Sequence, residues 1–145
     1  MDLVGPDLFV GTLADATNSH QLEKDEITTV VSLTHETPDV SEPAINIYSI
    51  PLIDGPQNTR DKFRKAVHKT ATALADGECV LVHCAAGASR SPTVAATALA
   101  LTEEMELQNA IQQVADNRDA VDPHEALLRQ AAHVYTELRD SASLN

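Results

Sequence analysis

With 145 residues, 43% of them hydrophobic, the chain has the size of one domain with a core of its own. Its 22 acidic residues against 10 basic ones give a net charge of −12, which excludes a general nucleic-acid binder, since phosphate backbones demand a basic face. No apolar run approaches the roughly 20 residues of a membrane span, the acidic start MDLVGPDLFV does not read as a secretory signal, and two cysteines cannot build a disulfide framework, so a reducing cytoplasm is the expected compartment.

Leu3-Val4, cut off by Gly5-Pro6, is a candidate edge strand. Runs of branched residues bounded by turn formers predict strands at residues 8–10, 29–33, 45–50 and 79–83. Between the last two, Phe63, Ala66, Val67, Thr70, Ala71 and Leu74 recur at helical spacing, and Asp76-Gly77 ends that segment. Residues 93–101 are small and apolar all round, the pattern of a buried helix. Leu107, Ala110, Ile111, Val114 and Ala115 mark another. The last helix is expected to open at Asp122-Pro123 with Glu125, a capping-box pattern with proline at the first helical position. Its apolar face is Leu127, Ala131, Val134, Tyr135 and Leu138. Strands early and helices late predict an α/β architecture: one domain over residues 1–145, with a mixed sheet of about five strands flanked by helices.

The chemistry concentrates in His83-Cys84-Ala85-Ala86-Gly87-Ala88-Ser89-Arg90-Ser91, between a strand and a helix. A loop at that junction gathers backbone N–H groups, and the helix dipole adds positive potential, so it binds anions. Ala85, Ala86, Gly87 and Ala88 carry little or no side chain, so the backbone can curl into a nest around an oxyanion. Arg90 adds a bidentate fork for two phosphate oxygens. An electropositive helix N-terminus favours the thiolate, so Cys84 is expected to act as a nucleophile in line with a bound phosphoryl group. Five residues between Cys84 and Arg90 let one loop wrap one tetrahedral anion.

HCAAGASRSPT resembles the signature of the cysteine-dependent phosphatases and, more narrowly, of the dual-specificity phosphatase family. The resemblance runs from about Leu3 to Leu138. Asp7-Leu8-Phe9-Val10-Gly11 with Ala16 and residues 27–33 look like that family's opening, and Asn117-Arg118 with Pro123 and Gln130 like its ending. It implies the cysteine-phosphatase fold and a role at each matching position. Cys84 forms a cysteinyl-phosphate; Arg90 holds the phosphoryl oxygens; the amides from Ala85 through Ala86, Gly87, Ala88 and Ser89 to Arg90 complete the cradle. Ser91 hydrogen-bonds the departing thiolate, and His83 orders the loop behind the cysteine, unless it is merely a satisfied core histidine. Ser89 is expected to shape the loop rather than touch substrate.

The reaction also needs a group that protonates the leaving oxygen and later deprotonates water. The family supplies an aspartate about thirty residues before the cysteine, and Asp54 ends the segment Ile50-Pro51-Leu52-Ile53-Asp54-Gly55-Pro56 at that spacing. Gly55 and Pro56 suit a shaped loop. Asp61 is the runner-up. Arg118 stands where the family often has a pocket-rim arginine, with a helix-terminal arginine answering the dipole as the alternative. The family's Pro-Asn is here Pro123-His124 and its Gly-Phe is Ala126-Leu127, departures that touch substrate contacts rather than the loop. Cys79 lies on the order of 16 Å from Cys84 along an extended strand, too far for a disulfide, and reads as a small strand residue.

The implied activity is metal-independent and needs no cofactor. It removes phosphate from phosphotyrosine, and from phosphoserine and phosphothreonine, because the chain lacks room for the segment that deepens the pocket of classical tyrosine phosphatases. The expected partners are phosphorylated proteins, with neither nucleic acid nor membrane, and the expected state is a monomer. The alternatives are a phosphatase of phosphoinositides or RNA 5′-phosphates, and a phosphate-binding pseudophosphatase. Alanines where phosphoinositide enzymes place lysines disfavour the first; the presence of Cys84, Arg90 and Asp54 together disfavours the second. Only four lysines in so acidic a chain favour adaptation to high salt over an ordinary acidic surface.

Overall fold

The apolar runs of the sequence fall in the middle of the sheet. The computed structural model describes residues 1–36, 38, 44–55 and 60–143. Its strands are β1 (Asp2–Gly5), β2 (Leu8–Thr12), β3 (Thr29–Ser32), β4 (Asn46–Ser49) and β5 (Val80–Cys84), in the spatial order β1-β2-β5-β3-β4. Val80-Leu81-Val82 has no polar alternation, and β5 accordingly sits at the centre, parallel to β2 on one side and β3 on the other, buried at every residue. Val82 is in register with Val10 and Val31. β4 pairs in parallel with β3 at one edge, and β1 pairs antiparallel with β2 at the other. The strand at Leu3-Val4 is therefore present.

Helices α3 (Arg60–Ala75), α4 (Arg90–Thr102), α5 (Leu107–Asn117) and α6 (Glu125–Ser143) follow the predicted segments. α4 is the central one: every residue from Ser91 to Ala100 is buried, and α3, α5 and α6 all pack on it. Its alanines allow three neighbours to approach without a polar face to solvate. α3 ends where Gly77 takes φ +82°, with the Gly77 and Glu78 amides donating to the Leu74 and Ala73 carbonyls, a glycine cap.

Strand alternation divides the core. Leu8, Val10, Val31, Val80, Val82 and Cys84 face the layer of α3 to α6. Val30 and Leu81 face a smaller cluster with Ala16, Leu22 and Ile27. That second cluster is covered by α1 (Leu13–Ala16) and α2 (Ser19–Lys24), which the apolar periodicity does not announce. Both are too short for a stripe to repeat and are held by their caps. Thr12 and Asp15 form a reciprocal capping box, and the Asn18 side chain accepts from the Gln21 amide.

The start of α6 corrects the sequence expectation. The helix is capped by His124: its carbonyl accepts from the Leu127 and Leu128 amides, and its Nδ1 accepts from the Ala126 amide at 3.0 Å. The Asp122 amide instead donates to the Ala88 carbonyl at 2.7 Å, so Asp122-Pro123 tethers the helix entrance to the central loop.

Candidate active site

Parallel β2, β3, β4 and β5 end at one edge of the sheet, so the segments that follow them gather there. β5 carries His83 and Cys84 to that edge, residues 85–89 turn, and α4 begins at Arg90. The odd-even rule of the strand sends the two signature residues to opposite faces. Cys84 points to the α4 side, 2% exposed; His83 points to the α1 side, fully buried.

The sulfur meets α4. Ser91 Oγ is 3.1 Å from Cys84 Sγ, and the Ser91 amide donates to the sulfur at 3.4 Å. Gly87 turns the loop at φ +67°. A Cβ there would collide with the Arg118 guanidinium and come within 2.9 Å of the Gly11 carbonyl, so glycine is required twice over, by conformation and by space.

Two hydrogen bonds join the β4–α3 segment to this loop. Arg90 Nη1 donates to the Leu52 carbonyl at 2.9 Å. Ser89 Oγ donates to Asp54 Oδ1 at 2.6 Å and accepts from the His124 amide at 2.8 Å. Cys84, Ser89, Arg90, Ser91 and Asp54 thus come together, with Gly55 beside the His124 ring. Pro56 lies outside the described residues. Asp61, the other carboxylate weighed for the acid, is exposed on α3 and pairs with Arg64 Nη2 at 2.9 Å.

Arg118 reaches the loop on its carbonyl side. Its Nε donates to the Gly87 carbonyl at 2.8 Å and its Nη2 to the Ala86 carbonyl at 3.4 Å, while Nη1 meets Asp2 Oδ2 at 2.9 Å and the Val10 carbonyl at 3.4 Å. Those partners make it a brace between the loop and the β1–β2 edge. The family pattern leads to a pocket-rim expectation for this arginine; its donors meet the loop carbonyls, Asp2 and Val10.

Burial pushes the His83 imidazole down to about 4; the Cys84 backbone opposes it next in strength, the charge of Arg90 adds to the depression, and Asp15 acts last and upward. The Cys84 backbone is near the ring without meeting hydrogen-bond geometry, and neither ring nitrogen has a partner among the described residues. The imidazole behind the loop is therefore neutral at pH 7. The Cys79 thiol is held in its protonated form. Burial and then the neighbouring Asp7, Asp25 and Glu26 push it up to about 11, and it contacts the Asp25 carbonyl at 3.6 Å. Both cysteines are free thiols.

Sequence reasoning missed the two-sided role of Ser89, the His124 amide and the Leu52 carbonyl. The first had a local signal. Ser89 is the N-cap of α4, but the amide two residues on is directed to the sulfur and the next residue is Pro92, which has no N–H. A serine in that setting must find partners elsewhere. The other two are backbone groups from distant segments, with no signature in residue type.

The family described as dual specificity phosphatase, catalytic domain, matches residues 8–137. Human dual specificity protein phosphatase 22 is 28% identical over 131 residues, covering 90% of this chain and 71% of that protein. Rat dual specificity protein phosphatase 15 is 30% identical over 131 residues, again 90% of this chain but 55% of that protein. A mouse putative dual specificity phosphatase solved with zinc tungstate superposes with a TM-score of 0.88 at 25% identity, over 97% of this chain and 89% of that one. Human DUSP28 superposes with a TM-score of 0.87 at 23% identity, over 97% and 99%. The second of these likenesses is one of fold.

Proposed function

The chain belongs to the dual-specificity phosphatase family of cysteine-dependent protein phosphatases, and on that premise we propose that it hydrolyses phosphotyrosine and phosphoserine or phosphothreonine in proteins through a cysteinyl-phosphate. On this reading one catalytic domain runs through residues 1–145, acting as a cytoplasmic monomer whose acidic surface suits high salt.

The phosphoryl oxygens occupy the nest of residues 85–90, with the guanidinium of Arg90 held in place by the Leu52 carbonyl. The Cys84 thiolate attacks phosphorus: an S–P bond forms and the P–O bond to the substrate breaks. Asp54 gives its proton to the leaving oxygen and becomes the carboxylate. It then takes a proton from water as that water attacks phosphorus, and the S–P bond breaks to release inorganic phosphate and thiolate. Ser91 Oγ, 3.1 Å from the sulfur, donates to the thiolate as it leaves. His83 stays neutral and packs behind the loop.

The observation that carries this reading is the contact of Cys84 Sγ with both the hydroxyl and the amide of Ser91 at the first turn of α4. It supports the reading that the thiol lies at the floor of an anion site. The test is hydrolysis of p-nitrophenyl phosphate and of phosphopeptides with chelator present, beside Cys84→Ser. Turnover lost in that variant, with inorganic phosphate still bound, supports the mechanism; turnover that survives removes it. Phosphoinositides and RNA 5′-triphosphates in the same panel test the substrate class, and faster turnover on either of them would replace the protein reading.

A further inference from the structure

We propose that Ser89 is a positioning residue for the proton transfer, one whose hydroxyl occupies Oδ1 of Asp54 and so leaves Oδ2 as the oxygen that carries the transferred proton. The inference rests on the reading of Asp54 as general acid.

A hydroxyl has one hydrogen to donate. At a helix N-cap, serine ordinarily uses its oxygen to accept from the amide two or three residues on. Ser89 is the N-cap of α4 and makes no such bond. The Ser91 amide, two residues on, donates to Cys84 Sγ at 3.4 Å, and the third residue on is Pro92. The Ser89 hydroxyl therefore has no partner within its own helix. Its oxygen accepts from the His124 amide at 2.8 Å, and because an amide can only donate, the hydroxyl hydrogen is committed to Asp54 Oδ1 at 2.6 Å. That length is the range of a hydroxyl on a carboxylate.

The anchor of the chain is rigid. His124 caps α6, its carbonyl holding Leu127 and Leu128 and its Nδ1 holding the Ala126 amide. The Ser89 carbonyl is itself held by the Thr93 hydroxyl at 2.7 Å and the Thr93 amide at 3.2 Å. Two helix N-termini thus fix one hydroxyl, and the hydroxyl fixes the carboxyl plane of a side chain that is otherwise exposed. In the first step Oδ2–H protonates the leaving oxygen; in the second Oδ2 receives the proton of water. The Ser89 hydrogen stays on Oδ1 throughout.

Removing the hydroxyl frees the carboxyl to rotate. Ser89→Ala is expected to lower kcat on phosphopeptide roughly tenfold through lost orientation. The loss should be larger on an alkyl than on an activated aryl phosphate, because the transferred proton matters most to a poor leaving group. Inorganic phosphate binding should stay within about twofold, and Ser89→Thr, which keeps the hydroxyl, should restore most of the rate. In an Asp54→Asn background, Ser89→Ala should change kcat by less than about twofold, since its effect runs through Asp54. Ser89→Cys, nearly isosteric with a weak donor, carries the same test if the alanine variant does not fold. Equal losses on both substrates and in both backgrounds would show that Ser89 only shapes the loop, and would overturn the proposal while Asp54 stood as the acid. Full turnover of an alkyl phosphate by Asp54→Asn itself would instead remove the reading of Asp54, and the proposal with it.

Discussion

The hydroxyl of Ser91 lies 3.1 Å from the sulfur of Cys84, seven residues back along the chain and across the phosphate loop. On the proposed mechanism it donates to the thiolate as the S–P bond breaks. Ser91→Ala should slow breakdown of the cysteinyl-phosphate about 10- to 100-fold, the scale of one hydrogen bond to a charged group, while the first step keeps most of its rate. Rapid quench with an activated aryl phosphate should then show a burst of phenol equal to one enzyme equivalent. A variant with no burst and a slowed first step would contradict this placement.

Asp54 and Asp61 are separated by the same reasoning. Asp54→Asn should lower turnover by about 10² to 10⁴, the usual worth of a general acid, with the larger loss on alkyl phosphates whose leaving groups are poor. Asp61 pairs with Arg64 on the exposed face of α3, and Asp61→Asn should change turnover little. Steady-state kinetics on one aryl and one alkyl phosphate reads both; the reverse pattern would exchange the assignments.

Burial depresses the His83 imidazole from 6.5 to about 4. Unfolded chain therefore takes up a proton between those values that folded chain refuses. Stability from this group is complete above pH 6.5, falls as pH drops through that window, and is lost by pH 4, about 3 kcal/mol in all. Urea midpoints of the parent should fall more steeply over this range than those of His83→Gln, whose side chain does not titrate. Parallel slopes would mean the ring is protonated in the folded protein.

Gly87 combines a left-handed φ with contact against Arg118 and the Gly11 carbonyl. Gly87→Ala should distort the phosphate loop and lower kcat/KM at least about 100-fold, since an ångström of misplacement in a site has that effect. Adding Arg118→Ala clears the guanidinium but not the φ +67° backbone, so the double variant should recover melting temperature more than activity. Full recovery of activity would show that space alone, not conformation, demands glycine.

A net charge of −12 on 145 residues implies self-repulsion whenever screening is weak. The Debye length is about 30 Å at 0.01 M salt and about 3 Å at 1 M. Both the melting temperature and kcat/KM for a dianionic substrate should rise with KCl. A flat or falling melting temperature would leave the acidic surface as a solubility feature.

Much of this was determined by the sequence alone. The run at residues 79–83 reads as a strand because its residues are branched and bounded by turn formers, and α4 as a buried helix because its residues are small on every side. The nine residues from His83 to Ser91 carry the expected chemistry locally: the residues read as nest, thiol, fork and thiolate donor all lie within one loop and one turn, so spacing suffices to relate them. The family resemblance pointed to Asp54, which the fold brings within 2.6 Å of Ser89. What the tertiary structure decided were relations between segments far apart in sequence. The short α1 and α2 are fixed by caps and by a second core that exists only once Val30 and Leu81 face the same way. The Leu52 carbonyl and the His124 amide are backbone groups, identical in every residue but proline, and only the folded chain selects which of them Arg90 and Ser89 will meet. Arg118 shows the same limit: the family pattern located the residue, but four partners from three segments, not its position in the chain, set the direction of its guanidinium toward Gly87, Ala86, Asp2 and Val10.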